Sequence, residues 1–151
     1  MGVMRKKVII GGSEKIDLPE MNLFNIDAKV DTGADSSAIH CHHIEIVRRA
    51  GIKVLHFILL DPTHPDYNNK SFYFDQFKQK TVKNSFGDSE RRYVIRTPVL
   101  IFNKRYKTEL SLTYRGNLRY PILLGKRFLL KRFLVDVTQS DLSIQGKKIT
   151  Q

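Results

Sequence analysis

Short runs of alternating or β-branched apolar residues recur along the whole 151-residue chain. In residues 24–30 every second residue is apolar, which is the period of a strand that buries one of its faces. Turn-rich segments such as residues 61–69 separate the runs. The runs predicted as strands are residues 24–30, 37–41, 54–60, 72–77, 93–102 and 106–113.

Helical periodicity is scarce by comparison. Residues 126–132, which follow Gly125, are predicted to form a short helix, while residues 44–50 fit a helix or a strand equally well. Pro98 cannot donate to a sheet ladder, so it predicts an edge position or an irregularity in its strand. The sequence therefore predicts an all-β fold with one short helix near the C-terminus.

We expect one domain over residues 1–151, with a core over about residues 10–142 and a polar tail over residues 143–151. Cys41 has no second cysteine to bridge to, and the first residues lack the apolar stretch and cleavage site of a secretory signal. No apolar run approaches the roughly 20 residues that a membrane helix needs. We therefore expect a cytoplasmic protein without a membrane-spanning segment.

The chain is strongly basic, with 26 Lys and Arg residues against 15 Asp and Glu residues and a formal net charge of +11. Such a charge attracts polyanions at long range. The basic residues are spread along the sequence, which favours a solvated basic exterior over a nucleic-acid surface. A third interpretation is a basic groove that favours acidic peptides. We do not expect a nucleic-acid partner.

The sequence VDTGA places Asp31 directly after the alternating run of residues 24–30. Thr32 and Gly33 then break the strand, because Gly can adopt backbone angles that other residues avoid. A carboxylate on such a loop can be held by backbone amides against the end of a sheet. Asp-Thr-Gly alone is a weak signal, since an Asp that opens a surface turn is common.

Further blocks of the sequence give this motif its context. With the motif itself, the blocks are residues 28–34, 37–38, 92–95, 124–126 and 133–136. Taken together, they resemble the bacterial retropepsin-like aspartic peptidases, a family often labelled ATP-dependent zinc proteases. The resemblance extends over roughly residues 10–142, and an ordered set of blocks is more specific than one motif.

The resemblance implies roles for the residues of the loop. Asp31 matches the catalytic aspartate, and Thr32 matches the residue whose hydroxyl braces two such loops across a dimer axis. Gly33 and Ala34 match small residues that let the substrate backbone approach. Asp35 matches an acidic residue that contacts the substrate main chain.

The resemblance also implies a closed barrel with a flap hairpin. Residues 81–94 fall where the flap is expected, and Phe86 and Gly87 near its tip are candidate substrate-binding residues. A strand-to-helix element is expected to pack behind the catalytic loop and to support it. That element contains Leu124, Gly125 and Lys126, of which Lys126 is placed to pair with Asp35.

The sequence contains one Asp-Thr-Gly, whereas aspartic peptidases activate water between two carboxylates that share a proton. The second carboxylate is therefore expected from Asp31 of a twofold-related copy. This mechanism needs no cofactor. The favoured prediction is a homodimeric aspartic endopeptidase, with a functional link to an ATP-grasp ligase that adds glutamates to proteins.

Two alternatives remain open at this point. The first is a catalytically inactive binding or regulatory module that keeps the loop. The second is a zinc peptidase that uses the His40, Cys41, His42 and His43 cluster, although a closed zinc site needs three or four converging ligands. The favoured interpretation of the cluster is a strand end with solvated histidines and a half-buried Cys41, with His56 as a packing residue and no metal bound.

Overall fold

The structure is a computed structural model that describes residues 6–83, 86–114 and 119–149. The first half contains β1 (Val8–Leu18), a 3-10 turn (Pro19–Met21), β2 (Leu23–Val30), β3 (Ser37–Arg49), β4 (Ile52–Leu59) and β5 (Ser71–Phe74). The second half contains β6 (Lys78–Lys83), β7 (Ser89–Ile101), β8 (Lys104–Thr113), β9 (Ile122–Leu124), α1 (Lys126–Leu129), β10 (Phe133–Ser140) and α2 (Leu142–Ile149).

The strands form a barrel that closes on itself. Their order is β10-β1-β2-β9-β3-β8-β7-β6, and β7 also returns to β1, where Leu100 pairs with Asp17. That return closes β1, β2, β9, β3, β8 and β7 into a ring of six strands. Beyond this ring, β4 and β5 extend from β3. The prediction of an all-β, retropepsin-like closed barrel is confirmed.

Alternation along the strands fills the barrel with apolar side chains. Ile26 and Ala28 of β2 are fully buried, as are Ile39 of β3, Leu110 of β8 and Ile122 of β9. These side chains belong to one hydrophobic cluster. Because β2 keeps this alternation to its last residue, it fixes the direction in which the chain leaves the barrel at Asp31.

The hairpin expected at residues 81–94 is present as β6 and β7, whose register runs from Lys78 opposite Val94 to Lys83 opposite Ser89. Pro98 lies beyond the end of this pairing, where β7 pairs with β8. Pro98 has no N–H group, and β6 no longer pairs with β7 at this position, so no hydrogen bond to β6 is lost. The sequence predicted such an edge position or an irregularity.

Other segments differ from the prediction. Residues 44–50, which fitted a helix or a strand, continue β3 to Arg49. β1 was not predicted, because Gly11 and Gly12 interrupt its apolar pattern. The predicted strand at residues 72–77 ends at Phe74, before a bend that leads to β6.

The C-terminal segments also differ. The helix expected at residues 126–132 is the single turn α1, after which Lys131 has a positive φ of 66°. Residues 143–149 of the predicted polar tail belong to the helix α2, and residues 150–151 lie outside the described part of the chain. The fully buried Glu14 accepts hydrogen bonds from the backbone N–H groups of Ser143 (2.9 Å) and Gly11 (2.8 Å). None of the described helices is long and apolar enough to cross a membrane.

Candidate active site

Asp31 is held at the point where β2 ends. Val30 pairs in parallel with Leu124 of β9, and the Asp31 N–H donates to the Leu124 carbonyl at 2.9 Å. The Gly33 N–H donates to Asp31 Oδ1 at 2.9 Å, and the Ala34 N–H approaches the Asp31 carbonyl at 3.4 Å. These bonds fold the loop into a tight turn and fix one oxygen of the carboxylate.

The element that follows β9 packs directly against this loop. The Lys126 N–H donates to the Ala34 carbonyl at 2.7 Å, and the Gly125 N–H donates to Ser37 Oγ at 3.0 Å. A Cβ atom on Gly125 would lie 2.5 Å from the Ser36 carbonyl oxygen and 2.8 Å from that of Ala34. Only glycine lets the two segments approach this closely.

Asp35 lies at the edge of the same loop. Its carbonyl accepts the Arg127 N–H at 3.0 Å, and its carboxylate Oδ1 is 3.9 Å from Lys126 Nζ. Both side chains are largely exposed, so the ion pair contributes little to stability. The structure thus brings Asp35 and Lys126 together as the resemblance implied, and their effect on substrate binding stays a prediction.

A cavity of about 730 Å³ separates the loop from the β6–β7 hairpin. Asp31 and Asp35 lie on one wall, and residues of the hairpin form the opposite wall. Five basic residues line the cavity, against the three acidic residues Asp31, Asp35 and Glu90. The basic residues are Lys80, Lys83, Arg92, Lys126 and Arg127. Asp31 also borders a neighbouring cavity of about 460 Å³.

Not every predicted site residue faces this cavity. Phe86 and Gly87 lie beside the hairpin tip, and neither belongs to the described residues that line the cavity. The Phe86 side chain is 89% exposed, and Gly87 has a positive φ of 86°, which favours glycine. Thr32 is exposed on the loop and lies outside the described lining as well.

Arg92 was not predicted as a site residue, although its segment carried part of the resemblance. Its Nη2 atom lies 3.3 Å from Glu90 Oε2, and its side chain is 15% exposed. Its Nε atom is buried and has no hydrogen-bond partner among the described residues. A buried donor without a partner is uncommon in folded proteins. A basic residue in an alternating strand gave no signal that it would face the loop.

The His40 to His43 run does not converge on one point. His40 is buried, with Nε2 3.0 Å from Asp61 Oδ2, and the ring of His42 makes an edge contact with Tyr67. Cys41 is fully buried, and this burial raises the pKa of its thiol. The expectations of a solvated His40 and a half-buried Cys41 were therefore wrong. Neighbouring residues of β3 direct their side chains to opposite faces, and both faces are covered at this point.

Comparison with known proteins places this site in a family. Residues 9–146 match the RimB-like family, described as retropepsin-like aspartic endopeptidase RimB. The chain belongs to the RimB-like family. This confirms the resemblance seen in the sequence. A crystal structure of a protein with unknown function from Legionella pneumophila subsp. pneumophila str. Philadelphia 1 has a similar fold, with a TM-score of 0.69 and 27% identity. It matches over 91% of this chain and 99% of its own chain.

Several curated relatives of this RimB-like chain are named probable alpha-L-glutamate ligase. The protein from Parasynechococcus marenigrum (strain WH8102) is 34% identical over 137 residues, which are 88% of this chain and 28% of the relative. The protein from Desulfotalea psychrophila is 34% identical over 134 residues, 86% of this chain and 28% of the relative. The protein from Shewanella pealeana is 33% identical over 138 residues, which are 89% of this chain and 29% of the relative. The chain therefore spans less than a third of the length of these relatives.

Proposed function

We propose that this protein is an aspartic endopeptidase that hydrolyses peptide bonds as a homodimer. The observation that carries the proposal is the position of Asp31. One carboxylate oxygen is held by the Gly33 N–H, and the residue borders a cavity between the loop and a hairpin. Membership of a family of retropepsin-like aspartic endopeptidases supports the same chemistry.

The homodimer is proposed because two carboxylates are needed and the chain carries one Asp-Thr-Gly motif. When Asp31 of each subunit approaches within about 3 Å, both groups cannot ionise cheaply, so the pair holds one shared proton. One carboxylate then acts as the base and the other as the acid. Thr32, which is exposed beside Asp31, is free to brace the two loops across the axis.

In the proposed reaction, the ionised Asp31 takes a proton from a water molecule as the water attacks the peptide carbonyl carbon. The protonated Asp31 of the second subunit donates its proton to the carbonyl oxygen. Collapse of the tetrahedral intermediate breaks the C–N bond, and the amine leaves with a proton from the carboxyl pair. Movement of the β6–β7 hairpin over the substrate would exclude bulk water.

The lining of the cavity supports an acidic peptide as the substrate. Its basic residues outnumber its acidic ones, and two of the five, Arg92 and Arg127, carry guanidinium groups that match a carboxylate in shape. The relatives named probable alpha-L-glutamate ligase support a functional link to an ATP-grasp ligase that adds glutamates. We therefore propose glutamate-rich segments of proteins as the substrate class.

A binding module that holds acidic peptides without cleaving them is the second candidate. This candidate is favoured by a comparison of lengths. The region similar to this chain forms less than a third of the relatives named probable alpha-L-glutamate ligase. In that case the basic cavity would present an acidic segment to a ligase, and Asp31 would have no chemical role.

Peptide cleavage by the wild type and by Asp31→Asn distinguishes these candidates. We expect the wild type to cleave glutamate-rich peptides, and the substitution to lower the rate by roughly 10²- to 10⁴-fold, the usual contribution of a positioned acid or base. Asp66→Asn, which alters an exposed loop residue outside the cavity, is the matched control and should retain activity. Tight binding of these peptides without cleavage by the wild type would favour the module instead.

A further inference from the structure

Two histidines and a glutamate meet on the extension formed by β3 and β4. His43 and Glu45 are two residues apart on β3, so their side chains leave the same face of the sheet. His56 of β4 is the direct cross-strand partner of Glu45. The register of the two strands therefore places three metal-binding side chains together, although they are not contiguous in the sequence.

The atoms of this cluster are already close to the spacing that a metal ion requires. Glu45 Oε1 lies 3.2 Å from His43 Nε2 and 2.9 Å from His56 Nδ1. One ligand atom from each residue can be chosen so that all three lie within 4.8 Å of one another. Zinc bonds of about 2.0–2.1 Å at tetrahedral angles separate neighbouring ligand atoms by roughly 3.3 Å. Glu45 Oε1 is therefore already near this spacing from both histidine nitrogens, and the separation of the two nitrogens from each other is the distance that metal binding would adjust.

His56 is held in the orientation that a ligand would need. Its Nδ1 atom lies 2.9 Å from Glu45 Oε1, and its Nε2 atom lies 2.8 Å from Ser71 Oγ of β5. A carboxylate only accepts, so Nδ1 carries the proton when no metal is bound. On metal binding the proton would move to Nε2, where Ser71 Oγ can accept it, and the Nδ1 lone pair would face the ion. Its ring stacks on Tyr73 with a centroid distance of 4.7 Å and an angle of 13°. The Arg49 guanidinium in turn lies 4.1 Å above the Tyr73 ring. Metal-binding histidines in proteins are oriented by second contacts of this kind.

We propose that His43, Glu45 and His56 bind a divalent transition metal ion, with Zn²⁺ as the preferred class. Two imidazoles and a carboxylate suit zinc and its neighbours, whereas Ca²⁺ and Mg²⁺ prefer oxygen ligands alone. His43 would bind through Nε2, His56 through Nδ1 and Glu45 through one carboxylate oxygen. The side chains of His43 and Glu45 are 42% and 47% exposed, so solvent can complete the coordination shell.

This site is separate from the chemistry proposed at Asp31. None of the three residues belongs to the described lining of the cavities that border Asp31. Its ligands come from two adjacent strands, so a bound ion would join β3 to β4. The role is to stabilise the extension and not to activate water for peptide hydrolysis.

Calorimetric titration of the tag-free, chelator-treated chain with Zn²⁺ tests the proposal. We expect one ion per chain, and a loss of affinity of at least about 100-fold in His43→Asn, Glu45→Gln and His56→Gln. Ser71→Ala, which removes the contact that orients His56, should weaken binding by about 10- to 100-fold. His42→Asn, on the same strand but outside the cluster, is the matched control and should bind as the wild type does.

Two further measurements locate the ion and exclude unfolding as the cause of any loss. Nitrogen resonances of the His43 and His56 rings should shift on addition of Zn²⁺ to the wild type, while those of His42 and His64 should not. Thermal unfolding without metal should be similar for the wild type, His43→Asn and Glu45→Gln, because the His43 and Glu45 side chains are largely exposed. It measures separately the stability that His56→Gln loses with the Tyr73 contact. A wild type that binds no Zn²⁺ at one ion per chain, or variants of His43 and His56 that bind it unchanged, would overturn the proposal.

Discussion

At Gly125 the absence of a side chain decides whether the loop of Asp31 can form. A methyl group at this position would meet the Ser36 and Ala34 carbonyl oxygens at 2.5 and 2.8 Å, and both belong to backbone that other hydrogen bonds hold in place. Since real Cβ atoms do not approach oxygen this closely, either the loop or the start of α1 has to move.

Gly125→Ala is therefore expected to destabilise the protein by about 1–3 kcal/mol and to lower peptidase activity further than this loss of stability explains. Gly12→Ala is the matched control, because its Cβ would lie 3.4 Å from the nearest atom, the Val137 carbonyl oxygen, which is an ordinary contact. Chemical denaturation and cleavage rates of both variants check the prediction. Equal effects of the two substitutions would contradict it.

Because Cys41 is buried, the free energy of unfolding of the protein is expected to fall at alkaline pH. The thiol is neutral in the folded chain because burial raises its pKa above the ordinary value of 9.0. Its contribution is fully present below pH 9.0, and it is lost as the pH rises from there, since only the unfolded chain then releases the proton.

We expect the free energy of unfolding of the wild type to fall above pH 9.0 more steeply than that of Cys41→Ala, by up to about 1.4 kcal/mol per pH unit. Comparing the two slopes, and not the two stabilities, removes the effect of the cavity that the alanine leaves. Denaturation series between pH 8 and 10 provide the slopes. Parallel slopes would show that the thiol ionises in the folded chain.

At the scale of elements, the sequence predicted those strands whose pattern is local. The run of residues 24–30 alternates without interruption, so the strand, the loop at its end and the burial of Ile26, Ala28 and Val30 could be predicted. Phe24 is 51% exposed instead, because the positive φ of Asn25 (54°) interrupts the alternation. β1 could not be predicted, because Gly11 and Gly12 interrupt the pattern and the fully buried Glu14 counts as polar. The burial of Glu14 is satisfied by the backbone N–H groups of Gly11 and of Ser143 in the first turn of α2.

The same limit applies to the site. The loop and the element behind it could be predicted because each is contiguous in the sequence. Arg92 and the cluster of His43, Glu45 and His56 depend on which strands pair and in what register. The register of β3 with β4 follows from the two-residue turn at Ala50 and Gly51. It could not be used in the prediction, because residues 44–50 fitted a helix and a strand equally well.

The β6–β7 hairpin contributes Lys80 and Lys83 to the cavity wall. In Lys80→Gln and Lys83→Gln we expect the KM for glutamate-rich peptides to rise by about two- to fivefold each with little change in kcat, because these charges attract the peptide without touching the reacting bond. The increase should shrink at high salt. Lys53→Gln, on the exposed part of β4, is the control, and a fall in kcat at unchanged KM would contradict this role.

At the scale of the whole molecule, the proposed chemistry belongs to a pair of chains. If each active site uses Asp31 from both subunits, refolding equal amounts of wild type and Asp31→Asn together leaves about one quarter of the dimers with two intact carboxylates. Activity per total chain should then fall to about one quarter of the wild-type value. If each chain contained a complete active site, the mixture would instead retain about one half of the wild-type activity. Sedimentation analysis of the same mixture verifies that dimers have formed.

The loop that carries Asp31 early in the sequence is completed by backbone from β9 and α1, through the carbonyl of Leu124 and the N–H groups of Gly125 and Lys126. During synthesis, a nascent chain exposes Asp31 long before these partners leave the ribosome. Its carboxylate then lies on unsupported polypeptide and lacks the geometry for hydrolysis. The order of translation thus delays the proposed hydrolysis until β9 and α1 have been made.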